Sequence, residues 1–263
     1  MFTPLRAIVD NLPAMAWPTP AALNPLAAKF AACSGGGKPL RFVAPAGEPA
    51  PGAADYELHI HDDGRVPLRA ANRHDAFNAL VWLAFPQTKA MLNRIHADEL
   101  RAQPGGVRSV RRDALTLFDE SGVLVLSSDP SVLDRIRAFE WKRLFWDKRE
   151  TLARTTRFLL FGHALYEKAL APYVGMTGHA LLLEASATAY LFDDRAAHVM
   201  ADQLAAQALL ECIKNPRDLS PLPVLGVPGW WHANIEAAFY DNTDYFRAGR
   251  SRRLLAVRTD VAN

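Results

Sequence analysis

Apolar positions recur at helical spacing in several stretches of the chain. From Arg73 to Phe85, residues Phe77, Leu80, Val81 and Ala84 form one stripe at ~100° per residue. Pro86 splits this helix from a second, which runs from Gln87 to about Gln103 and stops at Pro104-Gly105-Gly106. Asp193 to Cys212 reads as an alanine-rich helix, and Ala21 to Cys33 as another that Ser34-Gly35-Gly36-Gly37 ends. Residues 130–170 read as mostly helical.

Strand patterns are shorter. Residues 40–43 and 179–186 are apolar runs, and Tyr56 to His61 alternates up to an Asp62-Asp63-Gly64 turn. Residues 44–55 are rich in Pro, Gly and Ala and read as a loop. Leu115, Leu117, Val123 and Val125 flank the polar tip Asp119-Glu120-Ser121-Gly122, which predicts a β-hairpin. No repeat and no linker appears. The pattern predicts one α+β domain over 1–263, helix-rich, with a small antiparallel sheet or hairpin.

Composition changes this picture little. The 263 residues are 50% hydrophobic and 22% charged, a globular balance. The only cysteines, Cys33 and Cys212, form no CxxC pair, which excludes a cysteine zinc site and suits a reducing compartment. The N-terminal stretch is a poor secretion signal, and no apolar run nears the ~20 residues that span a bilayer. A soluble cytoplasmic protein is expected. The net charge of +2 demands no acidic partner. Local basic clusters exist at Arg108, Arg111 and Arg112, among the aromatics of residues 139–149, and in the tail from Arg247 to Arg253. Those aromatics fall at core-like helical spacing, which argues against nucleic acid as a partner.

The informative residues lie on helix faces, the first of which shows short polar groups and a tryptophan where a solvated face carries Lys, Glu or Arg. The first helix carries His74, Asp75, Asn78 and Trp82 opposite its apolar stripe. In the second, Lys89, Asn93 and His96 share one face. In the run FLLFGHALYEKAL, read as a helix apolar nearly all round, His163 and Glu167 are an i, i+4 pair. Buried ionisable groups must pair, bind a metal or bind substrate. Trp230 and Trp231 sit in a Pro/Gly loop, where aromatics wall a pocket or pin the loop. His59 and His61 alternate on the expected strand and would share one side of it.

Three motifs fail on inspection. SGGGKP follows a helix rather than a strand, and Lys38 precedes Pro39, so it is no phosphate loop. His74-Asp75 lacks the further ligands of an HD phosphohydrolase, and no GxSxG is present.

Two readings follow. As an enzyme, presumed a hydrolase of a small-molecule substrate, the chain would line one cleft with these groups. His74, Asp75, His163 and Glu167 would hold a divalent metal ion. Without metal, His163 would be the general base, oriented by Glu167, with Lys89 stabilising an anion. Asn78, Asn93, His96, Trp230 and Trp231 would contact substrate. The alternative is a non-catalytic binding protein whose polar cluster is structural, and nucleic-acid binding is a third reading. The segments HDAFNALVWLAFPQTKAMLNRIH, RRDALTLFDESG, FGHALYEK and VPGWWHANIEAAFYDNTDYFR resemble a bacterial family, DUF3025. The resemblance implies a single-domain protein and assigns no activity, ligand or catalytic residue.

Overall fold

The computed structural model describes residues 1–13, 17–45, 53–103, 107–185 and 193–249. In chain order its main elements are α1 (Arg6–Val9), α2 (Pro20–Lys29), β1 (Arg41–Val43), α3 (Ala53–Asp63), β2 (Arg65–Pro67), α4 (Arg73–Ala84), α5 (Pro86–Ala102) and α6 (Val110–Ser121). Then come β3 (Gly122–Ser127), α7 (Pro130–Arg137), α8 (Arg149–Thr155), β4 (Thr156–Leu160), α9 (His163–Lys168), β5 (Thr177–Glu184), α10 (Asp194–Glu211) and β6 (Ser220–Pro223). The fold class is α+β with helix predominant, as the sequence predicts.

The sheet is mixed rather than antiparallel. Its order is β4-β3-β5-β6, with β3 antiparallel to β4 but parallel to β5. A second, two-stranded ribbon pairs β1 with β2, also in parallel. β3 is buried along its whole length, with Val123 to Leu126 fully enclosed, because helices cover it on both sides. α10 packs across β3, β5 and α5. One continuous cluster of buried apolar side chains runs from Leu5 to Phe246.

Four sequence expectations about elements are corrected. The hairpin across Asp119–Gly122 is the last turn of α6 followed directly by β3. Ser109 caps that helix through the Arg112 N–H, Asp113 stands in its first turn, and Ala114, Leu115 and Phe118 form its buried stripe. The alternation of Leu115 and Leu117 was too short to separate a period of two from one of 3.6. Tyr56–His61 is helical for the same reason. Tyr56 and Ile60 are also i, i+4, and Gly64 ends α3 in the left-handed conformation (φ 70°). Hence His59 and His61 do not share one side. The run FLLFGHALYEKAL is strand β4, a break at Phe161-Gly162, then α9. α2 stops at Lys29, before the expected Cys33. The stop at Pro104–Gly106, most of the 44–55 loop, and Arg250, Arg252 and Arg253 of the tail lie outside the described residues.

Glycines make the close approaches on which the site depends. A Cβ on Gly162 would lie 2.5 Å from Glu120 O, Gly122 N and Ser121 Cα. The N–H groups of Phe161 and Gly162 both donate to Gly122 O, at 3.0 and 2.9 Å. The start of α9 is thereby pressed against the end of α6. Gly35 is pressed against the α5 backbone in the same way, so SGGG is a contact loop rather than the stop of α2.

Gly162→Ala forces this junction apart and is expected to destabilise the protein by about 1–3 kcal/mol, the usual range for overpacking. Urea unfolding measures it. A loss below ~0.5 kcal/mol, the scatter of neutral surface changes, would refute the tight-junction account.

Candidate functional site

The junction aims several polar groups into one cavity of about 920 Å³, walled by α3, α4, α5, α6 and α9. Its floor is built from α4 and α9. Asn72 caps α4 by accepting from Asp75 N at 2.9 Å, which fixes His74 in the first turn. His163 is the first residue of α9. The two helices pack so that His74 Nε2 and His163 Nε2 lie 3.0 Å apart, with the rings edge to face. One turn further along both helices, Phe77 and Tyr166 stack with ring planes only 9° apart.

Behind each imidazole stands a carboxylate. His163 Nδ1 faces Asp119 Oδ2 at 3.7 Å, and His74 Nδ1 faces Glu167 Oε2 at 3.9 Å. A third carboxylate, Glu120, lies in front. Ligand atoms of His74, Glu120 and His163 all fall within 4.8 Å of one another. His163 is buried and His74 half-exposed, so the group opens to the cavity on one side.

The polar faces of α4 and α5 meet where the sequence suggests. Lys89 Nζ donates to Asn78 Oδ1 at 2.9 Å and to Asp119 Oδ1 at 2.6 Å, and lies 5.2 Å from the Trp82 ring centre. Asn78 in turn donates to the Tyr56 hydroxyl at 2.9 Å. Burial pushes the Asp119 carboxyl up, but the Lys89 charge, the His163 ring and the Lys89 hydrogen bond outweigh it and hold Asp119 below the usual carboxylate range. Burial pushes His163 down to about 4 against the opposing pull of Asp119, so the ring is neutral at pH 7. His96, also in the cavity wall, is held at about 4, again chiefly by burial. Burial raises Glu57 despite its hydrogen bond from Asn93.

The remaining sequence candidates lie elsewhere. Asp75 touches the cavity, but its carboxylate accepts from Arg69 N, Nε and NH2 at 2.7–2.9 Å and is absorbed by that turn. Lys89 is buried behind Asp119, not in the cavity wall. Asn93 holds three segments together: it accepts from Gly35 N and donates to Glu57 O and Oε2. Trp230 packs edge-on against Phe158 and Trp231 against His232, and neither lines the cavity. Their loop is pinned by Asn234, which donates to Leu225 O and Val227 O. Sequence reasoning missed Asp119, Glu120, Arg112 and Thr116. Their spacing on α6 would have placed them on one face had the helix been recognised.

The profile of the family described as Protein of unknown function (DUF3025) matches residues 40–250. The chain belongs to that family. The matched span holds every cavity residue named above, whereas α1 and α2 lie outside it. No curated protein and no solved structure is detectably similar to the chain. In this DUF3025 protein, no described helix is long and apolar enough to cross a membrane.

The depressed histidines of the cavity wall make stability depend on pH with a fixed sign. His96 binds its proton near pH 4 when folded but near its ordinary 6.5 when unfolded. The unfolded chain therefore takes up more protons between those values, so stability is full above about pH 6.5 and falls towards pH 4. The urea midpoint is expected to drop across this window, and His96→Leu to flatten the drop. An equal slope in the variant would show that His96 does not carry it.

Proposed function

We propose that the chain is a single-domain hydrolase of a small molecule, dependent on a divalent metal ion held by His74, Glu120 and His163. The observation that carries this is the convergence of ligand atoms of His74, Glu120 and His163 within 4.8 Å of one another, with a further carboxylate 3.7–3.9 Å behind each histidine. Both rings turn Nε2 towards a common point and Nδ1 towards Asp119 or Glu167. A carboxylate behind each ligating imidazole is the usual support of a metal site. The donor set fits: two imidazoles and a carboxylate suit zinc or a similar ion, with the open side left to substrate. Two nitrogens at tetrahedral zinc stand ~3.3 Å apart, so the 3.0 Å pair would need to spread only slightly. Such an ion, when bound, supplies Lewis acidity at neutral pH.

This ligand set differs from the one suggested by sequence. Glu120 takes the place of Asp75, and Glu167 stands behind His74 instead of beside the ion. The chain's own residues do the preparation. Burial keeps His163 neutral and able to ligate. Asp119 stands 3.7 Å from His163 Nδ1, beyond hydrogen-bond reach in this arrangement, and Lys89 keeps Asp119 ionised. Lys89 thus acts through Asp119 rather than on substrate. The second reading, a non-catalytic binding protein, is favoured by one fact: the 3.0 Å histidine pair is a complete hydrogen bond without an ion.

Elemental analysis of protein purified without a histidine tag should find about one transition-metal ion per chain. Glu120→Gln and His163→Ala should abolish uptake, and Glu167→Gln should weaken it about 10–100-fold. Hydrolysis across a panel of esters, amides and phosphoesters should disappear with chelator. No uptake of zinc, manganese or iron in equilibrium dialysis would remove the metal reading. Full loading without hydrolysis would favour the binding protein.

A further inference from the structure

The cavity continues well past the histidines. Arg112, Thr116, Asp119 and Glu120 all line it from one face of α6. At 1.5 Å rise per residue, Arg112 and Glu120 are roughly 12 Å apart along the helix. Four arginines touch this space, and their partners set them apart. Arg69 is committed to Asp75. Arg108 is committed to Asp113 and Thr116. Arg65 and Arg112 make no side-chain hydrogen bond or ion pair among the described residues. Arg65 is exposed, as an unpaired surface arginine commonly is. Arg112 is half-buried, and its Nε is fully enclosed without a partner.

A second orphan lies in the same wall. His96 is only 5% exposed, and its Nδ1 is likewise enclosed and unpartnered. The Arg112 charge bears directly on its ring. Buried donors without acceptors are rare, and each is costly. The nearby acids do not answer them. Asp119 is engaged by Lys89, and Glu57 is engaged by Asn93 and lies outside ion-pair distance of Arg112.

We propose that Arg112 and His96 form an oxyanion subsite, so that the substrate is a small molecule carrying a phosphate or carboxylate group away from the bond that reacts. The terminal N–H groups of the Arg112 guanidinium and the accessible edge of the His96 ring would meet one anionic group, and the guanidinium would supply the countercharge. The cavity volume lies within the range for a whole small-molecule ligand and exceeds what a single ion needs. The position of the reacting bond rests on the metal-site reading. The subsite itself does not.

The test is titration of the full-length protein with inorganic phosphate and, separately, with acetate, followed by calorimetry and by NMR of the His96 ring. Saturable binding of at least one anion is expected, with a shift of the His96 ring signals. Arg112→Gln should weaken it by about tenfold or more, the range for a charged hydrogen bond. The variant should fold, since the side chain makes no described hydrogen bond or ion pair to lose. Glu120→Gln should bind the anion as the parent does. The stronger of the two anions identifies the group. Absence of saturable binding, or equal binding by Arg112→Gln, overturns the subsite. Loss of binding in Glu120→Gln also overturns it, by sending the anion to the histidine cluster, and leaves the metal reading intact. Anion binding without any metal uptake supports the subsite and removes the metal.

Discussion

The Lys89–Asp119 ion pair, with a buried ammonium and a carboxylate at the cavity wall, is the interaction around which the rest is arranged. It joins α5 to α6, and through Asn78 and His163 it reaches α4 and α9. A buried charge without its partner is strongly destabilising, so neither residue is free to drift. Neutralisation by Lys89 also allows a carboxylate to sit beside a histidine with no net charge to bury. Asn78 and the Trp82 ring complete the shell around the ammonium, and Asn78 passes the order on to Tyr56 at the cavity wall. Four helices thus agree on one geometry.

Much of this was legible, and the rest was hidden for identifiable reasons. α4, α5 and α10 are long and periodic, and the odd polar residues on α4 and α5 pointed correctly to a meeting place. His74, Asn78, Lys89 and His163 do converge. The errors cluster where elements are short or fused. α6 passes into β3 without a loop, so Asp119-Glu120-Ser121-Gly122 looked like a turn, and the two carboxylates nearest the histidines were assigned to its tip. β4 and α9 are joined by two residues and merged into one apolar run. Asp75 was plausible by type and position. Only the three-dimensional path of Arg69 shows that its oxygens are taken.

The basic residues that suggested a nucleic-acid surface are mostly occupied. Arg111 donates to Leu209 O, Leu210 O and Ile213 O, at the C-terminal end of α10 where a cation suits the helix dipole. Lys142 pairs with Asp241, and Arg149 stacks on Trp146. Trp141 and Phe145 are buried. These charges hold elements together, and that role leaves Arg112 conspicuous by contrast.

The stacked Phe77 and Tyr166 rings, the first half-buried and the second fully buried, sit one turn from His74 and His163 on the same two helices. α9 is a single short helix, too short to hold its position by itself. Its packing on α4 therefore leans on those two rings, whose centres lie 5.9 Å apart, together with the Gly162 junction to α6. The separation of the imidazole nitrogens thus depends in part on aromatic packing outside the site. A change of ring size there would retune the histidine pair from a distance, so selection on the chemistry would act on a pair that otherwise resembles ordinary core.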